Sequence, residues 1–130
     1  MKESSISQLK AKADKLCSEW VRRSYANWKD EVKCFTCDKV FTVKTIQCGH
    51  FISRTYTNTR WHLPNLRPQC YSCNIMRHGN MDEFAVRLER ETPGILNELY
   101  SWKHRPATAN TRKDLELVIG FFKEKLKTLQ

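Results

Sequence analysis

The amino-acid sequence predicts an α+β fold in which helices flank a small, cysteine-rich centre. Apolar residues recur at helical spacing near both ends, a middle stretch mixes β-branched and aromatic residues with Thr and Cys as short strands do, and two Cys-x2-Cys pairs bracket that middle. With 130 residues, 40% of them hydrophobic and 28% charged, the chain suits one domain with a modest core, taken as 1–130. Its apolar runs, such as Val118-Ile119 and Phe121-Phe122, fall far short of the ~20 residues a bilayer requires, so no membrane partner is expected.

Residues 5–29 read as an N-terminal helix, with Ile6, Leu9, Ala13, Leu16, Cys17, Trp20 and Val21 on one face and Cys17 a small core residue. Residues 32–52 suit short strands and tight turns, and imply a small hairpin. Residues 53–69, with two prolines and no period, read as a loop able to carry functional side chains. A short helix is expected from Tyr71. Asn80 with Glu83 resembles a capping box for a helix ending near Glu91, and Thr92-Pro93 looks like an N-cap and first-turn proline for a helix through Leu96, Leu99 and Trp102. Thr111 and Asp114 open a last helix whose stripe is Leu115, Val118, Ile119, Phe122 and Leu126. The chain thus divides into a helix, a cysteine-rich core over 32–80 and C-terminal helices over 81–130. Met1 to Ser5 carry one charge of each sign and lead into a polar amphipathic stretch, unlike a secretory signal, so a cytoplasmic location is expected.

The net charge is +9, and its placement matters more than its size. Residues 34–80 hold Lys39, Lys44, Arg54, Arg60, Arg67 and Arg77 against the single acid Asp38, whereas both flanks are nearly balanced. A basic segment attracts phosphate and releases its counterions, which makes nucleic acid the expected partner and Arg54, Arg60, Arg67 and Arg77 the candidate phosphate contacts. Tyr56 and Trp61 suit either stacking on bases or packing.

Cysteines stand at 17, 34, 37, 48, 70 and 73. Without an export signal, a disulfide framework is disfavoured. Two Cys-x2-Cys knuckles supply the four sulfurs that tetrahedral structural zinc prefers, so Cys34, Cys37, Cys70 and Cys73 are the expected zinc ligands. The βαβ context of a redox pair and the spacing of an iron–sulfur site are both missing. Cys48 reads as a packed small residue.

Gly49-His50-Phe51 lies between the knuckles, Asn65-Leu66-Arg67-Pro68-Gln69-Cys70 leads into the second, and Cys73-Asn74 closes it. Over residues 32–80 this resembles the HNH nuclease motif. The resemblance implies a ββα-metal (His-Me finger) core, with His50 as the general base of phosphodiester hydrolysis, Asn74 as a ligand of a catalytic Mg²⁺ or Mn²⁺, and Asn65 orienting the loop or the histidine. A histidine with a pKa near ~6.5 suits deprotonation of water at neutral pH, and an amide oxygen is a hard ligand such cations accept. Many HNH enzymes place an acidic metal ligand just before the histidine, where this chain has Gly49; Gln47, two positions away on the same strand face, is then a candidate second ligand.

A closer resemblance is to the phage NinG/Rap recombination nucleases, carried by Gln47-x-Gly49-His50-Phe51, by Pro68-Gln69-Cys70-Tyr71-x-Cys73-Asn74 and by Gly79-Asn80-Met81 before a helix. It implies cleavage of branched DNA such as Holliday junctions and D-loops, and makes glycine before the histidine ordinary. A homodimer is plausible for such an activity, with the long terminal helices as its interface. A non-catalytic zinc-finger module, a zinc-stabilised interaction domain and a sequence-specific HNH endonuclease are the competing readings. His62 and His78 are secondary candidates for metal or phosphate, and His104 reads as a surface residue.

Overall fold

The computed structural model describes residues 3–107 and 111–129, so Met1 and Lys2, at the start of the segment read as unlike a secretory signal, lie outside the described residues. Helix α1 spans Ile6–Ser24 and opens with a capping box between Ser5 and Gln8. It buries Leu9, Ala13, Cys17 and Val21, but stops short of the expected residue 29. The Asn27 side chain ends it: its Oδ1 accepts from the backbone N–H groups of Lys29 and Glu31, each at 2.9 Å, offering the backbone a turn that competes with further helix.

The middle holds two separate two-stranded antiparallel sheets where a single small hairpin was expected. Strand β1 (Glu31–Lys33) pairs with β2 (Val40–Thr42). Strand β3 (Gln47–His50) pairs instead with β4 (Leu66–Gln69), inside the stretch read as a loop. All four β4 residues are buried, so no alternation of polar and apolar residues betrays the strand. Pro68 is tolerated because β4 pairs with one strand only; the Pro68 carbonyl faces away from Cys48, its partner in the ladder, and accepts from Phe35 N–H at 2.9 Å. Between them, Thr57–Arg60 form a one-turn helix α2 and Leu63–Asn65 a 3₁₀ turn.

After β4 the short helix expected from Tyr71 forms, as a single π turn over Ser72–Met76. Helix α3 follows as Met81–Glu91, α4 as Ile95–Lys103 and α5 as Arg112–Lys127. The expected capping box at Asn80 does not form. Asn80 is left-handed (φ 48°) and its amide points instead at Thr36 O and Cys73 Sγ. Nor does Thr92 cap α4: it ends α3, and Gly94 at φ 91°, a conformation that suits glycine, precedes the new helix. Thr111 does cap α5, accepting from Asp114 N–H at 3.1 Å.

Three buried clusters hold these elements. Helix α1 packs along α5 through Leu9, Ala13, Cys17, Leu115, Ile119 and Phe122. Phe51, Ile52, Phe84, Leu88, Ile95 and Leu99 join α3 and α4 to the end of β3. Val32, Ile46 and three of the knuckle cysteines form the third. Among the described residues no helix is long and apolar enough to cross a membrane.

Adjacent phenylalanines on α5 test this packing. Phe122 is fully buried and Phe121 is 47% exposed. Phe122→Ala should lower stability by about 3–5 kcal/mol and Phe121→Ala by about 1 kcal/mol or less, read from urea unfolding.

Candidate metal and nucleic-acid site

The two cysteine pairs converge. Cys34 and Cys37 lie between β1 and β2, Cys70 directly after β4 and Cys73 in the π turn, and their four sulfurs all lie within 4.8 Å of one another. Cys37 Sγ and Cys70 Sγ are 3.9 Å apart. Thiolates about 2.3 Å from a tetrahedral zinc ion are about 3.8 Å from each other. The cluster therefore has the dimensions of a closed four-sulfur metal site, compatible with zinc. Burial pushes the Cys34 thiol up, yet the Cys70 N–H, the Thr36 hydroxyl and N–H and the Cys37 thiol outweigh it and bring Cys34 to about 7. Those donors favour the thiolate, which is the ligand form.

A cleft of about 830 Å³ opens between α1 and β3, and its walls include Asp14, Lys15, Gln47, His50, Arg54 and Asn74. His50 ends β3 half-buried, with Nε2 2.9 Å from the Arg60 carbonyl oxygen. A carbonyl only accepts, so Nε2 carries the proton and Nδ1 is left as the basic nitrogen of the neutral ring. Burial pushes the His50 pKa below its ordinary value. The bond to Arg60 O and the Asp14 charge oppose this, and the Arg54 and Arg60 charges reinforce it.

Asn74, on the π turn, lines the same cleft, and its Nδ2 donates to Gln47 Oε1 at 2.8 Å. The bond fixes the Asn74 amide and leaves its Oδ1 with no protein partner among the described residues. Gln47, expected as a second cation ligand, has its oxygen engaged by Asn74 and acts as that residue's holder. Gly49 explains why no carboxylate precedes the histidine: a Cβ there would lie 2.1 Å from Gln69 Oε1. Gln69 is itself fully buried, and its Nε2 donates to Thr36 Oγ1 and Gly79 O.

Asn65 is completely buried and does not line the cleft. Its Oδ1 accepts from Ile52 N–H at 2.8 Å, while Nδ2 donates to Ile52 O and Thr59 O at 3.0 Å. Of its two expected tasks it performs the first, clamping the loop after β3 so that the Arg60 carbonyl meets His50.

The four expected phosphate-binding arginines separate. Arg67 is buried, donating to the carbonyls of Leu63, Pro64 and Leu66 and pairing with Glu91 at 2.7 Å. This structural tie removes it from the phosphate contacts. Arg60 forms a bidentate pair with Asp14 at 3.0 and 2.6 Å and is only 18% exposed, so it too is largely structural. Arg54 is 61% exposed at the cleft with only a loose 3.6 Å contact to Asp14. Arg77 is exposed but does not line the cleft.

Of the secondary candidates, Trp61 is core and gives its indole N–H to Asp14 at 2.9 Å. His62 stacks on Trp102 away from the cleft, and His78 and His104 are exposed outside it. Cys17 and Cys48 touch across the α1–β3 contact, and this contact followed by burial pushes the Cys17 thiol up.

Several cleft residues come from α1, which the charge balance of residues 1–33 left unmarked. Asp14 holds Arg60, whose carbonyl holds His50, while Lys15, Arg22 and Lys44 add positive charge to the wall. The available signal is a second stripe at helical spacing, Ala11, Asp14, Lys15, Ser18 and Arg22, running beside the apolar one.

The family profile described as Bacteriophage Lambda NinG protein matches residues 2–130 of the chain. No curated protein and no solved structure matches it.

Elemental analysis of purified protein should find one tightly bound metal ion per chain. Cys70→Ser should lose that ion and the cooperative unfolding transition together, because metal binding at such a site is folding free energy. Arg67→Met should cost about 2–3 kcal/mol of stability by stranding its carbonyl partners and Glu91, with nucleic-acid affinity unchanged in a binding titration.

Proposed function

Because the chain belongs to the phage lambda NinG family, we propose that it is a metal-dependent DNA endonuclease of HNH type, acting on branched recombination intermediates such as Holliday junctions and D-loops. One arrangement carries the reading: His50, its Nε2–H fixed by the Arg60 carbonyl and its Nδ1 left basic, lines the same cleft as Asn74, whose amide Gln47 fixes, and as Lys15, Lys44 and Arg54. The order of β3, β4 and π turn, with His50 ending the first and Asn74 on the last, is the order expected of a ββα-metal core. In this reading the four-cysteine site holds zinc and has a structural role only.

His50 Nδ1 takes a proton from the attacking water while Nε2–H stays on the Arg60 carbonyl. Asp14 and Asn65 are positioning residues, the first through Arg60 and the second through the loop backbone. Lys15, Lys44 and Arg54 hold the phosphate backbone. A divalent cation bound beside Asn74 supplies charge neutralisation at the scissile phosphate and the leaving oxygen. Asn74 Oδ1 is a hard donor and fits Mg²⁺ or Mn²⁺, but Asp14, the one carboxylate in the cleft wall, is committed to Arg60 and Trp61. That lack of a free carboxylate favours the competing reading, a zinc-stabilised module that binds nucleic acid without cutting it. It also separates the two: an endonuclease with this donor set would need substrate phosphate beside Asn74 to hold its cation.

Cleavage of a synthetic four-way junction in Mg²⁺ or Mn²⁺ tests the assignment. His50→Ala should lower the rate by about 10²-fold or more with junction affinity retained, and junctions should be cut in preference to linear duplex of the same sequence. Wild-type protein that binds junctions but never cuts them would leave the non-catalytic module. Mn²⁺ should bind measurably only when DNA is present. The rate should hold from pH 8 down through ~6.5 and fall only at lower pH, because the base is lost as pH drops through a His50 pKa that burial has lowered.

A further inference from the structure

A second basic pocket lies outside the cleft. It has a volume of about 110 Å³ and is lined by Thr55, Tyr56, Thr57, Lys103 and Arg105, among others, with no acidic residue in its wall. That volume equals the share of roughly three to four water molecules, the scale of a tetrahedral oxyanion. Lys103 and Arg105 end α4 and the turn after it, far in sequence from the loop that carries Tyr56.

The way these two cations are held is what marks the pocket. Most arginines near the core are neutralised: Arg60 by Asp14, Arg67 by Glu91, Arg87 by Asp38 and Glu83. Among the described residues, Lys103 and Arg105 have no carboxylate partner. They lie over aromatic rings instead, Lys103 Nζ 4.5 Å from the Tyr56 centroid and Arg105 Cζ 4.4 Å from that of Trp102. A ring face positions a cation but leaves its N–H donors unused, and a guanidinium over a ring keeps its planar edge open for a phosphate. The backbone beneath is fixed: Asn58 Nδ2 donates to the carbonyls of Trp102, Arg105 and Pro106 at 3.0, 2.9 and 3.2 Å. Trp102 also stacks with His62, ring centroids 4.6 Å apart.

The pocket adjoins the cleft along the chain. Arg54 is in the cleft wall and Thr55, the next residue, is in the pocket wall. Basic residues line both, Lys15 and Arg54 in the cleft and Lys103 and Arg105 in the pocket.

We propose that this pocket is a second phosphate-binding site, formed by Lys103 and Arg105 with the Thr55–Thr57 loop, which grips the backbone of the nucleic acid leaving the cleft. It rests on the reading that the cleft binds nucleic acid, but not on cleavage. Adjacency to the cleft along the chain favours a nucleic-acid phosphate over a free one.

The test is the double variant Lys103→Met/Arg105→Gln, which keeps the aliphatic stems over their rings. Its control is Lys113→Met/Lys123→Met on the exposed side of α5, which removes the same charge. Fluorescence-anisotropy titrations with a junction and a duplex, over a range of salt concentrations, should show the pocket variant weakened on the order of tenfold and its log–log salt slope reduced by about 2. The control should keep the wild-type slope, and both should retain the wild-type melting transition and metal content. Equal losses in the two double variants would overturn the proposal. So would a pocket variant that binds DNA normally while losing only the chemical-shift response of Thr55 and Thr57 to inorganic phosphate, since the site would then serve the free anion. Binding loss in the pocket variant of a protein that never cuts DNA would uphold this site and remove only the nuclease assignment.

Discussion

The four-sulfur cluster is the constraint on which the rest depends. Neither two-stranded sheet is stable by itself in water, and the cluster that joins them, Val32 and Ile46 with the knuckle cysteines, is small. Cys34 and Cys37 belong to the β1–β2 hairpin, Cys70 and Cys73 to the end of β4 and the π turn. Bringing their sulfurs within 4.8 Å fixes the hairpin on the β3–β4 pair and sets where the π turn begins. Asn74 is the next residue after Cys73, so the position of its amide follows from the cluster. The ladder that sets His50 opposite Leu66 runs through Gln69, the residue before Cys70.

The basic nitrogen of His50 is determined from a different direction. Its tautomer follows from the Arg60 carbonyl; Asp14 on α1 holds the Arg60 guanidinium, and Asn65 within the loop holds the neighbouring Thr59 carbonyl. Three elements distant in sequence therefore agree on one imidazole orientation. Burial lowers the pKa of the ring, and the nearby arginines reinforce the effect, so the neutral form dominates at pH 7.

Charge is sorted in the same manner. Cations that meet carboxylates, Arg60, Arg67 and Arg87, serve as struts. Cations that meet only ring faces or solvent, Lys15, Lys44, Lys103 and Arg105, remain available to an anion and line the cleft and the pocket beside it. Net charge alone does not distinguish these classes, because a buried paired arginine and a free surface lysine count equally.

Much of the site was legible in the sequence. Cys-x2-Cys pairs declare a four-sulfur site through spacing alone, while His50 and Asn74 stand out through the resemblance of the residues around those pairs to the HNH motif. The α1 and α5 stripes and the Thr111 cap are likewise local patterns of period and side-chain chemistry. What the sequence left open depends on partners remote in the chain. Strand β4 is buried on every residue and so has no period to read, and α1 ended early because Asn27 turned the backbone back toward Glu31. Whether an arginine grips phosphate or ties a loop depends on which carboxylate reaches it, and Asp14 and Glu91 lie far from Arg60 and Arg67 in sequence. By itself the sequence determined which chemical groups are present and which of them are neighbours along one helix or knuckle. The tertiary structure decided which charges are neutralised, which histidine nitrogen is basic and why Gly49 admits no side chain, since each follows from contacts between segments that only folding brings together.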